Sequence, residues 1–141
     1  MPCSASSAEH GAAVTRLASI GILVQDLARA VAFYENAFGF VTQRDFATYV
    51  LLAGEDPASS LILSALPDDR TPDDVGRSIM KLVFFVDDAA AALTQLAAAG
   101  GTVVEPATPR KDLPYTIGFG RDPDGHVLEI IASKAGGTAT D

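Results

Sequence analysis

A single cysteine, two histidines and ten basic residues against eighteen acidic ones are what this 141-residue chain is short of. One cysteine, Cys3, closes no internal disulfide, which fits a reducing compartment, so a cytoplasmic location is expected. The histidines, His10 and His126, are too few for an imidazole-rich metal centre, since a divalent transition metal wants about three or four N, O or S ligands. A formal charge of −8 argues against nucleic acid as a partner and leaves neutral or cationic small molecules electrostatically easier. No apolar run approaches the ~20 residues of a membrane span, so no membrane partner is expected. The opening MPCSASSAEHGAA has neither a basic start nor an apolar stretch. It reads as a disordered, small-residue tail rather than a secretory leader. Neither GEDPASS nor AAAGGT has the spacing and lysine of a phosphate loop.

What is present suits one folded domain, 48% hydrophobic and long enough to bury a core. RLASIGILVQDL (16–27) begins as an apolar strand and ends at Asp26, a good helix N-cap. Apolar residues then recur at helical spacing through Leu27, Ala30, Val31, Tyr34 and Phe38, with Gly39 placed as the residue after the helix. Short β-like pieces follow in FVTQRDF, TYVLLAG and SSLILSAL. Residues 67–78 are polar and turn-rich, a connector in which Asp68, Asp69, Asp73 and Asp74 read as solvated rather than calcium-binding. The order then recurs: KLVFFVDD, capped by Asp87 or Asp88, an Ala-rich helix closed by Gly100 and Gly101, and three more strands.

The recurrence has a definite offset. Val24-Gln25-Asp26 and Val86-Asp87-Asp88 stand 62 apart, as do Phe40-Val41 and Thr102-Val103. Asp56-Pro57 and Asp122-Pro123 stand 66 apart, as do Tyr49 and Tyr115. Two βαβββ halves, the second with a longer loop, account for both offsets.

The stretch RDPDGHVLEI (121–130) poses a chemical question. Asp122-Pro123-Asp124-Gly125 is a tight turn, with φ set by proline and a positive φ supplied by glycine. Beyond it, alternation places Val127, Glu129 and Ile131 on one face of a strand. A carboxylate on a strand that otherwise reads as buried needs a partner, because an unpaired buried charge costs several kcal/mol.

VQDLARAVAFYENAFGF, VDDAAAALTQLAAAGG and FGRDPDGHVLEI together resemble the vicinal oxygen chelate superfamily, which includes glyoxalase, bleomycin-resistance, fosfomycin-resistance and extradiol dioxygenase proteins. The resemblance covers residues 16–133. It implies an α+β fold: two βαβββ modules (16–66 and 79–133, joined by 67–78) forming a cup-shaped half-barrel with the helices outside, and tails at 1–15 and 134–141. It also implies a homodimer, in which cups pair or modules exchange. Metal-using members point four ligands into the cup, and the matching positions here are Ser19, Leu63, Lys81 and Glu129. Only Glu129 is a usable ligand, so no metal and no other cofactor is expected. A divalent ion at Glu129 is the alternative.

Lys81 and Glu129, facing inward from adjacent strands, are expected to form an ion pair that puts an ammonium where a cation stands in metal-using relatives. Two readings are open: a salt bridge with no chemistry, or a pair that orients a polar ligand or supplies charge to a bound acid or enolate. Parity adds Leu23, Val83 and Phe85 to an apolar pocket with Tyr49 and Tyr115, while Leu82, Phe84 and Val86 pack under the second helix. Arg110 and Lys111 stand near its rim. The expected function is binding of a small hydrophobic or cationic molecule without a metal. The alternative is a lyase, isomerase or dioxygenase, metal-free through Lys81 and Glu129 or metal-dependent through Glu129.

Overall fold

Burial alternates along Ile20–Val24 (β1), with Ile22 and Val24 buried between more exposed neighbours, as a strand covered on one face requires. A computed structural model of the protein describes residues 17–56, 58–71 and 80–134. Nearly all of both expected tails, Cys3 and His10 among them, and most of the connector lie outside those residues. After β1, the Asp26 carboxylate accepts from Arg29 N at 3.0 Å and starts Leu27–Phe38 (α1), which ends at Gly39. Val41–Asp45 (β2), Tyr49–Ala53 (β3) and Ser60–Ala65 (β4) complete the first module. The second repeats it as Leu82–Phe85 (β5), Ala89–Ala98 (α2), Thr102–Pro109 (β6), Tyr115–Arg121 (β7) and Val127–Ser133 (β8). The cap of α2 is Asp88, whose carboxylate accepts from Ala91 N at 3.0 Å. Both helices thus begin 62 residues apart, at the offset of their caps.

Each module is a four-stranded mixed sheet carrying one helix, in the orders β1-β4-β3-β2 and β5-β8-β7-β6. In each, the first strand runs parallel to the last (β1 with β4, β5 with β8) and the other neighbours are antiparallel. Two βαβββ modules in an α+β fold are therefore present.

One face of each sheet packs under its helix. Ile22, Val24, Leu61 and Leu63 of the first sheet, and Leu82, Leu128, Ile130 and Ala132 of the second, join Phe33, Tyr34, Leu93 and Leu96 in a common core. Each fully buried Val, Leu, Ile or Phe among them contributes about 1.5–3 kcal/mol. Helix α2 lies closer to its sheet than a side chain would permit. A Cβ on Gly118 would stand 2.5 Å from Leu93 Cδ1 and 3.0 Å from the backbone of Ala107 and Glu105, and one on Gly120 would meet Leu96 at 2.9 Å. An alanine-rich helix on a bare strand is how the second module compensates for its small residues.

The modules meet through their helices and through the Asp122–Gly125 turn. Phe38 of α1 stacks on Phe84 of β5, centroids 4.1 Å apart and planes 5° from parallel, and Gln95 Nε2 donates to Asn36 O at 2.9 Å. The turn, with Gly125 at φ 94°, sends both its aspartates across the joint. Asp124 Oδ1 accepts from Gln25 N at 2.9 Å and Arg29 Nη2 at 3.1 Å, and Asp122 Oδ2 accepts from Tyr34 Oη at 2.7 Å.

Candidate functional site

Side chains of the sheet face turned away from the helices are the ones free to meet a ligand. In the second module, β5 pairs Val83 with Glu129 on β8, and β7 pairs Phe119 with the same Glu129, so the three share that face at one level. Lys81, just ahead of β5, donates from Nζ to Glu129 Oε1 and stands 6.0 Å from the centre of the Phe119 ring. The ion pair is lopsided in exposure: the lysine side chain is 35% exposed and the glutamate 10%. Water solvates the ammonium while the carboxylate depends on it. This answers what Glu129 holds within the chain, and the ring beneath Lys81 adds a cation–π contact.

Ser19 and Lys81 line one groove at the seam between the modules, of about 420 Å³, together with Phe40, Ser60, Val83 and Phe84. Ser19 Oγ is buried and has no hydrogen-bond partner among the described residues, whereas Ser60 Oγ donates to Ala18 O at 2.7 Å. Further along β5, Phe85 meets Tyr115, centroids 6.1 Å apart. Leu23 and Tyr49 belong to the corresponding face of the first sheet, both level with Ser64, and Tyr49 stacks on Phe46 at 4.5 Å. That face is open: Val83 is 48% and Phe85 56% exposed.

Leu63 is a correction. It was expected in the pocket as the repeat mate of Glu129, but it is fully buried on the helix side of its sheet, paired with Ile22. Val83 pairs with Glu129, and its mate Gly21 pairs with Ile62, so Ile62 holds the position equivalent to Glu129. The last strands repeat at 67 residues, not 66, and a slip of one residue exchanges the two faces of a strand.

The four inward positions are therefore Ser19, Ile62, Lys81 and Glu129. This donor set does not fit a divalent ion: one hydroxyl, one alkyl chain, and an ammonium already bound to the sole carboxylate. Nor do three or more His, Cys, Asp or Glu side chains gather in a metal-binding group among the described residues.

His126 and Glu129 face opposite ways, as their spacing implies. His126 is fully buried, its Nδ1 2.6 Å from Asp122 Oδ2, the same oxygen that Tyr34 donates to. Asp122 Oδ1 accepts from the backbone of His126 at 2.9 Å and of Asp124 at 3.0 Å. Burial first, then the Asp122 charge and hydrogen bond and the Asp124 charge, raise the Tyr34 phenol well above its ordinary 10.0. Sequence reasoning saw the turn but not this cluster, whose only signal was a tyrosine on the buried stripe of an amphipathic helix. Arg110, expected near the rim, folds back along its own hairpin, with Nη2 3.3 Å from Ile117 O and 3.4 Å from Glu105 Oε1.

No helix of the described residues is long and apolar enough to cross a membrane. The family model described as Glyoxalase/Bleomycin resistance protein/Dioxygenase superfamily matches residues 16–130. The lactoylglutathione lyase of Neisseria meningitidis serogroup A is 30% identical over 128 residues, spanning 86% of this chain and 93% of that protein. That of Salmonella typhimurium is 30% identical over 129 residues, 86% of this chain and 96% of its own. Among solved structures, UcmS2 superposes with a TM-score of 0.71 at 22% identity, over 86% of this chain and all (100%) of that one. A glyoxalase-related enzyme from Fulvimarina pelagi gives 0.68 at 23% identity, over 89% of this chain and 98% of its own.

Proposed function

The chain belongs to the Glyoxalase/Bleomycin resistance protein/Dioxygenase superfamily, and from that premise we propose that it binds a small, largely apolar molecule on the cup face without a metal, sequestering it rather than transforming it. The observation that carries this reading is the Lys81–Glu129 pair: it neutralises internally the one carboxylate a metal would need and leaves an ammonium with protons to spare. Val83, Phe85, Tyr115 and Phe119 supply apolar area around it, and Lys81 and Ser19 supply donors for a ligand oxygen.

A second reading has its own support, the 30% identity to lactoylglutathione lyases. In it, Lys81 stabilises a developing oxyanion and Glu129 moves a proton. Cytoplasmic location and a homodimer that covers the open cup faces belong to both readings, and light scattering at several concentrations tests the dimer.

Elemental analysis after exposure to zinc, manganese, nickel and iron tests the metal-free premise: well under one ion per chain is expected. One tightly held ion per chain or dimer overturns it. Glu129→Gln then separates the two readings. Loss of lactoylglutathione turnover with ligand binding retained establishes the enzyme; weakened binding with no turnover in either protein supports sequestration.

A further inference from the structure

A second groove, of about 440 Å³, adjoins the Lys81 seam, sharing Phe40, Ser59 and Phe84 with it. Its wall is aromatic: Phe84 lies flat against Phe38, Phe40 meets it edge-on at 6.3 Å, and Phe85 stands half-exposed at the mouth. Its charged lining is all of one sign. Glu55 and Asp56 come from the loop between β3 and β4 and Asp87 from just beyond β5, and among the described residues no lysine or arginine lines it. A third contribution comes from the backbone. The groove takes in Ala37 and Phe38 at the C-terminal end of α1, a helix with no basic residue in its last turn, so the negative pole of its dipole is uncompensated there.

We infer that this groove is a binding site for an organic cation, an aromatic or alkyl body carrying one permanent positive charge. The aromatic faces, the carboxylates and the helix pole each favour a cation, and each acts on a different part of such a molecule. An apolar body lies along Phe84 and Phe40 while its charge stays at the rim beside the exposed carboxylates. A neutral ligand would use only the wall, and an anion would be repelled by everything else. The Lys81 seam has the opposite character, with a cation already in place, so the cationic and neutral preferences compatible with the composition divide between two sites. The two grooves share Phe40 and Phe84 but no charged residue.

The test uses the full chain and the fluorescent cation 10-methylacridinium, with acridine-9-carboxylate as the anionic counterpart. Saturable binding of the cation but not of the anion is expected, weakening with salt as exposed charges are screened. Glu55→Gln/Asp56→Asn/Asp87→Asn should weaken it about tenfold, the combined effect of three exposed charges. Asparagine at 56 keeps an acceptor for Ala58 N, now 2.9 Å from Asp56 Oδ1, so the loop is preserved. Amide shifts on titration should centre on residues 84–87. Lys81→Met should leave it unchanged, which separates this site from the cup. Equal affinity in the triple variant, shifts centred on Lys81 and Glu129, or no saturable binding overturns the assignment.

Discussion

Replacing Tyr34 with phenylalanine removes one oxygen from the joint between the modules and changes no volume. The hydroxyl donates to Asp122 Oδ2 at 2.7 Å, and both residues are buried. The carboxylate is not orphaned by the change, because His126 Nδ1 and two backbone N–H groups still reach it. The cost is then one hydrogen bond to a charged acceptor, about 1.5–3 kcal/mol, or roughly 5–12 °C in Tm for a chain of this size. A second signature is harder to imitate. The phenol is raised well above its ordinary 10.0 by burial and by Asp122, so the native state keeps this proton where the unfolded chain releases it. A raised native pKa contributes stability in full below the unfolded value and loses it as pH climbs. By about pH 11 the wild type has given up on the order of 1 kcal/mol through this group, and Tyr34→Phe nothing. The stability gap between the two proteins should therefore narrow by that amount between neutral and alkaline pH. Urea unfolding followed by circular dichroism at both pH values measures it. A gap under about 0.5 kcal/mol at neutral pH, set against the cost of such a hydrogen bond, refutes the bond's contribution. A gap that does not change with pH refutes the account of the proton.

Other substitutions test the packing and the site. Gly118→Ala forces a methyl to 2.5 Å from Leu93 and 3.0 Å from backbone, so a loss of about 2 kcal/mol or more is expected in thermal unfolding. Leu63→Ala should cost about 2–5 kcal/mol while Ile62→Ala costs clearly less; equal costs would contradict the face assignment of β4. Lys81→Met, which strands a nearly buried carboxylate, should destabilise by about 1–3 kcal/mol, and adding Glu129→Leu should restore most of it. A double variant no better than the single one shows that the pair is not what Lys81 contributes.

Much of this architecture was legible because its punctuation is chemical. Asp26 and Asp88 announce two helices at one offset, and Asp122-Pro123-Asp124-Gly125 announces a turn, each through local bonding that tertiary context leaves in place. The pairing of Lys81 with Glu129 was legible for a related reason: a strand carboxylate needs a partner, and few cations were near. Register was less accessible. Nothing local distinguishes Ile62 from Leu63 in an apolar run, and one residue decides which faces the helix and which the cup. The Tyr34–Asp122–His126 cluster joins residues 88 apart, and no periodicity reports a bond of that span. The groove beside Phe84 is likewise a product of how two modules dock.

That docking is one-sided. The residue of α2 at Tyr34's place, 62 positions on, is Leu96, buried against the strand beneath it. The aspartate matching Asp122, 66 positions earlier, is Asp56, exposed and bonded only to its own loop. At the Asp122–Gly125 turn the donors, Gln25, Arg29 and Tyr34, come from the first half and the acceptors, Asp122 and Asp124, from the second. Two first halves brought together would bury a pair of phenols with nothing to receive their protons. Two second halves would bury a pair of carboxylates with nothing to neutralise them. Only unlike halves make a sound union, within one molecule or between two, and so a chain that looks like a doubled unit can no longer be assembled from either unit alone.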